Sequence, residues 1–235
     1  MKILHVADLH LRWFDWVKAQ ASSYDLVVIA GDFQDAFSDL SAQTQSLRCS
    51  EWLLTLPTST VVCSGNHDLW NDPHKPSTYL GINGGWLRRL SGCGNIIAAD
   101  GQSVEFQGLE IAVVGWSEQP QWPRSTDIVV AHAPPAACSC ATEEFGMRDL
   151  GDSDLRVAIN QHPTMLLVLG GHVHEPRRKW SRMPGNNSLI LVPGCDLTAE
   201  QPWHWSIDTT AGTATWTGHP DDPVEVISLF PEARV

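Results

Sequence analysis

At 235 residues, with 43% hydrophobic and 18% charged content, the chain can bury one sizeable core and has the composition of a globular protein. A net charge of −12 argues against a long duplex nucleic acid as partner, because such binding draws on clustered Lys and Arg. No uncharged apolar run is long enough to span a bilayer, so a membrane is not an expected partner either. A cleaved leader would have to be cut through a cluster that begins within the first ten residues, so the expected location is the cytoplasm. The six cysteines lack Cys-x-x-Cys spacing and read as free thiols. Cys138-Ser139-Cys140 leaves a metal pair or a strained bridge open.

Residues 2 to 7 read as a short buried strand ending at Asp8-Leu9-His10. Alternation along a strand predicts that Asp8 and His10 reach one point beyond its end. Residues 11 to 22 have helical spacing. The β-branched run of residues 26 to 30 predicts a strand buried on both faces, followed by Gly31-Asp32, with Asp35 three residues on. Residues 40 to 56 suit a helix stopped by Pro57. Residues 60 to 64 form a third strand, leading into Gly65-Asn66-His67-Asp68.

The order strand, helix, strand, helix, strand implies a parallel sheet with right-handed crossovers, and ligands in such sheets sit at the strand C-terminal ends. Residues 69 to 94 read as an irregular binding loop or partial lid, with a short helix near 86 to 90. A hairpin over 104 to 114 and a strand over 127 to 131 follow, the latter ending at His132. A helix over 155 to 161 comes next, then a strand over 165 to 169 ending at Gly170-Gly171-His172-Val173-His174. The tail reads as strands at 188 to 192, 203 to 207 and 214 to 217. Two mixed sheets packed face to face with helices outside, in a single domain over residues 1–235, fit this order.

Five apolar runs thus end in clusters of His, Asp, Asn and Gly. Collected, they offer Asp8, His10, Asp32, Asn66, His132, His172 and His174: three oxygen donors and four imidazoles. The set is too large for one divalent ion and suits two. Mixed imidazole, carboxylate and amide ligation without thiolate suits Mn, Fe or Zn. Asp32 is the natural bridge, because its strand lies between the others. Isolated histidines such as His5, His74, His162, His204 and His219 read as ordinary core or surface residues.

The ordered blocks Asp-x-His, Gly-Asp, Gly-Asn-His-Asp, a lone later His and Gly-His-x-His, over residues 8 to 174, resemble the calcineurin-like metallophosphoesterase superfamily. The resemblance implies a four-layer α/β/β/α sandwich with a dinuclear site at the strand ends. It implies that Asp8, His10 and His174 hold one metal, that Asn66, His132 and His172 hold the other, and that Asp32 bridges them. It implies that His67 is no ligand but assists the leaving group or helps position the phosphate, with Asp35 either supporting that ring or capping its own loop. Asp68 reads as structural or as a support to the ligands.

The implied activity is hydrolysis of a phosphate ester, a diester above all, by a metal-bridging hydroxide, on a small-molecule or nucleotide substrate. Arg12, Trp70, Arg177 and Arg178 are the candidate substrate contacts. Pro193-Gly194-Cys195 stands where relatives carry Pro-Gly-Ser. Two alternatives are a DNA-repair-type exonuclease of the same superfamily and a protein-binding scaffold. Retention of every ligand and of His67 argues against the scaffold.

Overall fold

The computed structural model describes residues 1–68, 85–144, 148–219 and 223–230. Its first half follows the parallel pattern. Strands β1 (Lys2–Val6), β2 (Leu26–Ala30) and β3 (Ser59–Cys63) alternate with helices α1 (Phe14–Ala21) and α2 (Ala42–Leu53). Strands β1, β2 and β3 pair in parallel, with β2 in the middle. All five residues of β2, Leu-Val-Val-Ile-Ala, are buried, as expected of a strand covered on both faces.

Helix α3 (Gly85–Arg88) and strand β4 (Ile96–Ala98) complete this half, with β4 at one edge. The other half contributes β5 (Ser103–Phe106), β6 (Leu109–Val114), β7 (Ile128–Ala131), α4 (Ser153–Gln161), β8 (Leu167–Leu169), β9 (Trp180–Arg182) and β10 (Leu189–Leu191). The tail forms β11 (His204–Asp208), β12 (Thr213–Thr217) and β13 (Glu225–Ser228). The strands make two mixed sheets, ordered β13-β12-β11-β1-β2-β3-β4 and β5-β6-β7-β8-β10-β9. The tail returns to the first sheet, where β11 pairs antiparallel with β1.

Alternation along the strands builds the layers. Ile3, Val28 and Val61 point between the sheets, where they meet Ile111, Ile128, Val130 and Leu191. Leu4, Val27, Ile29 and Val62 point the other way, onto Val17, Leu53 and Leu87 of the helices. On the far side, Val129, Val168 and Ile190 pack on Leu155 and Ile159 of α4. The architecture is therefore the four-layer α/β/β/α sandwich of two mixed sheets.

The elements depart from expectation in several places. Helix α1 begins at Phe14 rather than at residue 11, because His10, Leu11 and Trp13 all have positive φ. Strands β4, β9 and β13 were not expected from the sequence. Each is short and sits at or near a sheet edge, where little alternation is needed to hold it.

A candidate metal centre at the strand ends

The loops that leave the strands make the site. After β1, the chain keeps pairing with the loop after β2: Asp8 N–H donates to Gly31 O at 3.0 Å, His10 N–H to Asp32 O at 3.0 Å and Leu11 N–H to Phe33 O at 2.8 Å. Asp8, His10, Asp32 and His172 all adopt left-handed backbone (φ 54°, 45°, 54° and 68°). Such residues cost free energy that the surrounding structure must offset, and they concentrate at functional sites. Asp8 and His10 are therefore brought together by a tight turn beyond the strand, not by alternation along it.

The side chains converge tightly. Asp32 Oδ2 lies 3.3 Å from His132 Nε2, 3.8 Å from His67 Nε2 and 4.0 Å from His10 Nε2. Asp8 Oδ1 lies 3.6 Å from His174 Nε2 and 4.0 Å from His132 Nε2. Asn66 Oδ1 is 3.1 Å from His132 Nε2. The His172 ring stands edge-on to that of His132, with centroids 5.1 Å apart. The seven expected ligands thus lie in one cluster, with Asp32 shared among its parts.

Burial and charge act against each other here. Burial lowers the affinity of His132 for a proton, but Asp32 and Asp8 reverse this and raise its pKa to about 9. Burial would raise the two carboxyls, yet the imidazoles hold both below the usual carboxylate range: His132, His67 and His10 around Asp32, His174 and His132 around Asp8. His172 is lowered to about 4, first by burial and then by His132.

The donor chemistry fits divalent cations. His10 Nδ1 faces the Gln34 carbonyl at 3.0 Å, and His132 Nδ1 faces the Ala30 carbonyl at 2.7 Å. A carbonyl only accepts, so each Nδ1 carries a proton and each Nε2 is the nitrogen turned inward, where a cation could take the place of a proton. His10 Nε2 then lies 3.3 Å from His174 Nε2, with buried carboxylate oxygens alongside. Such a gathering of imidazoles and buried carboxylates needs positive charge, which protons or divalent cations can supply. Three groups of side chains have ligand atoms mutually within 4.8 Å: Asp8, His10 and His174; His10, Asp32 and His67; Asp8, Asp32 and His132.

Around His67, the Ala36 N–H donates to Nδ1 at 3.2 Å, and the Asp35 carboxylate accepts the Phe37 N–H at 2.9 Å. The contact expected of the Asp35 side chain is made at Nδ1 by the backbone one residue on. Asp68 is fully buried and accepts N–H groups from Phe33 (3.0 Å), Gln34 (3.1 Å) and Gly65 (2.8 Å). It ties the loop carrying Asp32 to the turn carrying Asn66. Burial and the Asp32 charge raise it to about 8.

Of the expected substrate contacts, Arg12 is exposed, with Nη1 donating to Leu197 O at 3.2 Å. Arg177 and Arg178 are exposed and line a cavity of about 710 Å³. Trp70 and residues 69–84 of the expected lid lie outside the described residues. Two further residues adjoin the site, Trp116, which was not expected, and Cys195 of the expected Pro-Gly-Cys turn. Trp116 stands against the His172 and His132 rings, at 5.2 and 5.7 Å. Its signal was the same punctuation, since Gly115-Trp116 ends strand β6. Cys195 Sγ donates to Asp8 O at 3.4 Å, so a thiol makes the hydrogen bond available to a Ser there.

A sandwich with an imidazole and carboxylate cluster at its strand ends defines a metal-dependent hydrolase class of site. The family profile of the calcineurin-like phosphoesterases matches residues 1–176, and the chain belongs to that family. Similar solved structures include the purple acid phosphatase PPD1 from yellow lupin (Lupinus luteus) seeds. It is 10% identical, with 97% of this chain and 51% of that chain covered and a TM-score of 0.52. Another is a conserved phosphoesterase-like protein of Streptococcus pneumoniae TIGR4, 14% identical over 97% of both chains, with a TM-score of 0.45. A third is a phosphoesterase from E. coli, 13% identical, covering 98% of this chain and 100% of its own, with a TM-score of 0.40. No curated protein matches. Among the described residues, no helix is long and apolar enough to cross a membrane.

Proposed function

We propose that this chain is a dinuclear-metal phosphodiesterase acting on a small-molecule or nucleotide ester. Asp8, His10 and His174 would hold one divalent cation, and Asn66, His132 and His172 the other, with Asp32 shared. Mn is the leading choice, with Fe or Zn as alternatives. Bound there, the cations would supply Lewis acidity toward the phosphoryl oxygens and a more acidic water. The observation that carries this reading is Asp32 Oδ2, which has three imidazole nitrogens within 4.0 Å.

His67 is the proton donor to the leaving group. Its Nδ1 meets the Ala36 N–H, so Nε2 is the nitrogen on the side of the cluster and the one through which a proton would pass to the leaving group. Its side chain is 20% exposed, against 3% for His10 and 0% for His132, so it stands where a leaving group departs. Ala36 N–H orients the ring, and Asp35 shapes the turn that presents it. An alkoxide leaving group needs that proton far more than a nitrophenolate does.

The test compares bis-p-nitrophenyl phosphate with a diester bearing an alkyl leaving group, both with added Mn²⁺. His67→Ala should cost about 10²–10⁴-fold on the alkyl ester and much less on the nitrophenyl one. A wild type inert with every metal tried would overturn the reading.

A second reading, a nuclease acting on single-stranded ends, is favoured by one feature. Arg177, Arg178 and Lys179 line the same cavity as Trp180, Trp203 and Trp216, and Lys179 Nζ sits 4.3 Å from the Trp203 ring centre. A Cβ built on Gly194 would lie 2.8 Å from His174 O and 3.0 Å from Lys179 Nζ, so this cavity adjoins the His174 backbone. Cations beside aromatic rings suit single strands better than duplexes. Digestion of single- and double-stranded DNA with Mn²⁺ separates the readings. We also propose one domain over residues 1–235, because β11 to β13 complete the sheet begun by β1. A cytoplasmic location is in keeping with six free cysteines, five of them buried.

A further inference from the structure

Cys138 and Cys140 lie between His132 and helix α4, with their Sγ atoms 3.2 Å apart. Both are buried, Cys138 at 6% exposure and Cys140 at 0%. Neither belongs to a group of metal-binding side chains among the described residues, which argues against an ion on this pair. Two sulfurs already in contact need to close by only about 1.2 Å to reach a disulfide bond length of about 2.0 Å.

We infer that Cys138 and Cys140 are a reversible oxidation site, a dithiol that closes to a disulfide under a hydroperoxide. The environments of the two sulfurs differ in the sense the reaction needs. The hydrogen bond from Cys140 favours a thiolate at Cys138, while burial keeps Cys140 protonated. Cys138, the one with residual exposure, is the attacking sulfur. Its thiolate displaces hydroxide from hydrogen peroxide, breaking the O–O bond and forming a sulfenic acid. The Cys140 sulfur then attacks the Cys138 sulfur, and its proton leaves with the departing hydroxide as water. Two electrons pass from the two thiols to one peroxide.

The turn is tied to the metal-binding loops at both ends. Cys138 follows His132 by six residues, and its thiol donates to Pro135 O at 3.0 Å in the reduced state. Downstream, Thr142 O accepts the Arg177 N–H at 2.9 Å, and Glu144 N–H donates to Glu175 O at 2.9 Å. Glu175 directly follows His174. Closing the disulfide breaks the bond to Pro135 and pulls on the segments that carry His132 and His174.

The test treats the folded protein with hydrogen peroxide, blocks with iodoacetamide and digests with trypsin. The peptide of residues 125–148 contains Cys138 and Cys140 and no other cysteine. It is expected two hydrogens lighter than its reduced form, unalkylated, and restored by dithiothreitol. In Cys140→Ser, Cys138 should stop at a sulfenic acid that dimedone traps. Recovery of both thiols alkylated, at doses that oxidise the exposed Cys93, would overturn the inference, as would sulfinic acids in place of the disulfide. Diester turnover with Mn²⁺ should fall about fivefold on oxidation in wild type, recover on reduction, and hold steady in Cys138→Ser. Equal losses in both proteins would place the damage elsewhere and overturn the link to the site.

Discussion

Gly65, Asn66, His67 and Asp68 divide their labour within a single turn. Asn66 turns its carbonyl oxygen to His132, His67 faces Asp32 from the open side, and Asp68 takes three backbone N–H groups. The role of Asp68 was not readable beforehand, because two of its three partners belong to the loop after β2. Gly65 makes the arrangement possible: a Cβ there would overlap Asp32 Oδ1 and come within 2.8 Å of Asp32 Cγ. Gly65→Ala should therefore displace the shared carboxylate, lowering Mn²⁺ content measured by mass spectrometry of the metal and reducing diester turnover by about 10²-fold. A variant with full metal content and full turnover would show that Asp32 tolerates the shift. Gly31 is bound by the same crowding, with φ +83° and the His132 ring against it.

Among the elements, long apolar runs were legible and short edge strands were not. Strand β2 is named by its composition alone, whereas β9 has three half-buried residues and is held by its pairing to β10. Strand β1 carries a separate liability. His5 is buried between the sheets opposite Trp205, and neither ring nitrogen has a hydrogen-bond partner among the described residues. Burial lowers its pKa to about 3; the Gly170 backbone lies nearby, outside hydrogen-bonding geometry, and offsets little of this. The sign follows from linkage: below about pH 6.5 the unfolded chain takes up a proton that folded His5 refuses. Stability is then full above pH 6.5 and is lost as pH falls toward 3, by at most about 1.4 kcal/mol per pH unit. His5→Leu should raise stability at pH 7 by about 1 kcal/mol and move the acid-unfolding midpoint downward, measured by circular dichroism. An unchanged midpoint would refute the assignment of acid lability to His5.

The whole molecule is a pair of sheets whose facing layers form the core and whose strand ends gather charge. Asp8 and Asp32 are both buried beside one another's imidazole partners, so cation binding there would be coupled to folding. Excess Mn²⁺ at about 100 times its Kd should stabilise the fold by about 2.7 kcal/mol, a rise in Tm of about 5–10 °C in a chain of this size. Differential scanning fluorimetry with Mn²⁺, and then with chelator, checks this without any substrate. A Tm that does not respond to either would count against a metal centre. The net charge of −12 is consistent with cation uptake and leaves Arg177, Arg178 and Lys179 as a local exception.

Sequence alone was enough to name the side chains that cluster at the strand ends, the parallel half of the first sheet and the two-sheet layering, because β-branched runs and the donors that end them are local signals. Which ring nitrogen faces inward and which carboxylate is structural depended on the meeting of loops far apart in the chain. Ala30 and Gln34 orient the rings of His132 and His10 through carbonyls that no motif records. The contact between Cys138 and Cys140 likewise needed the turn after His132 to be folded, since two-residue spacing permits side chains to point together or apart.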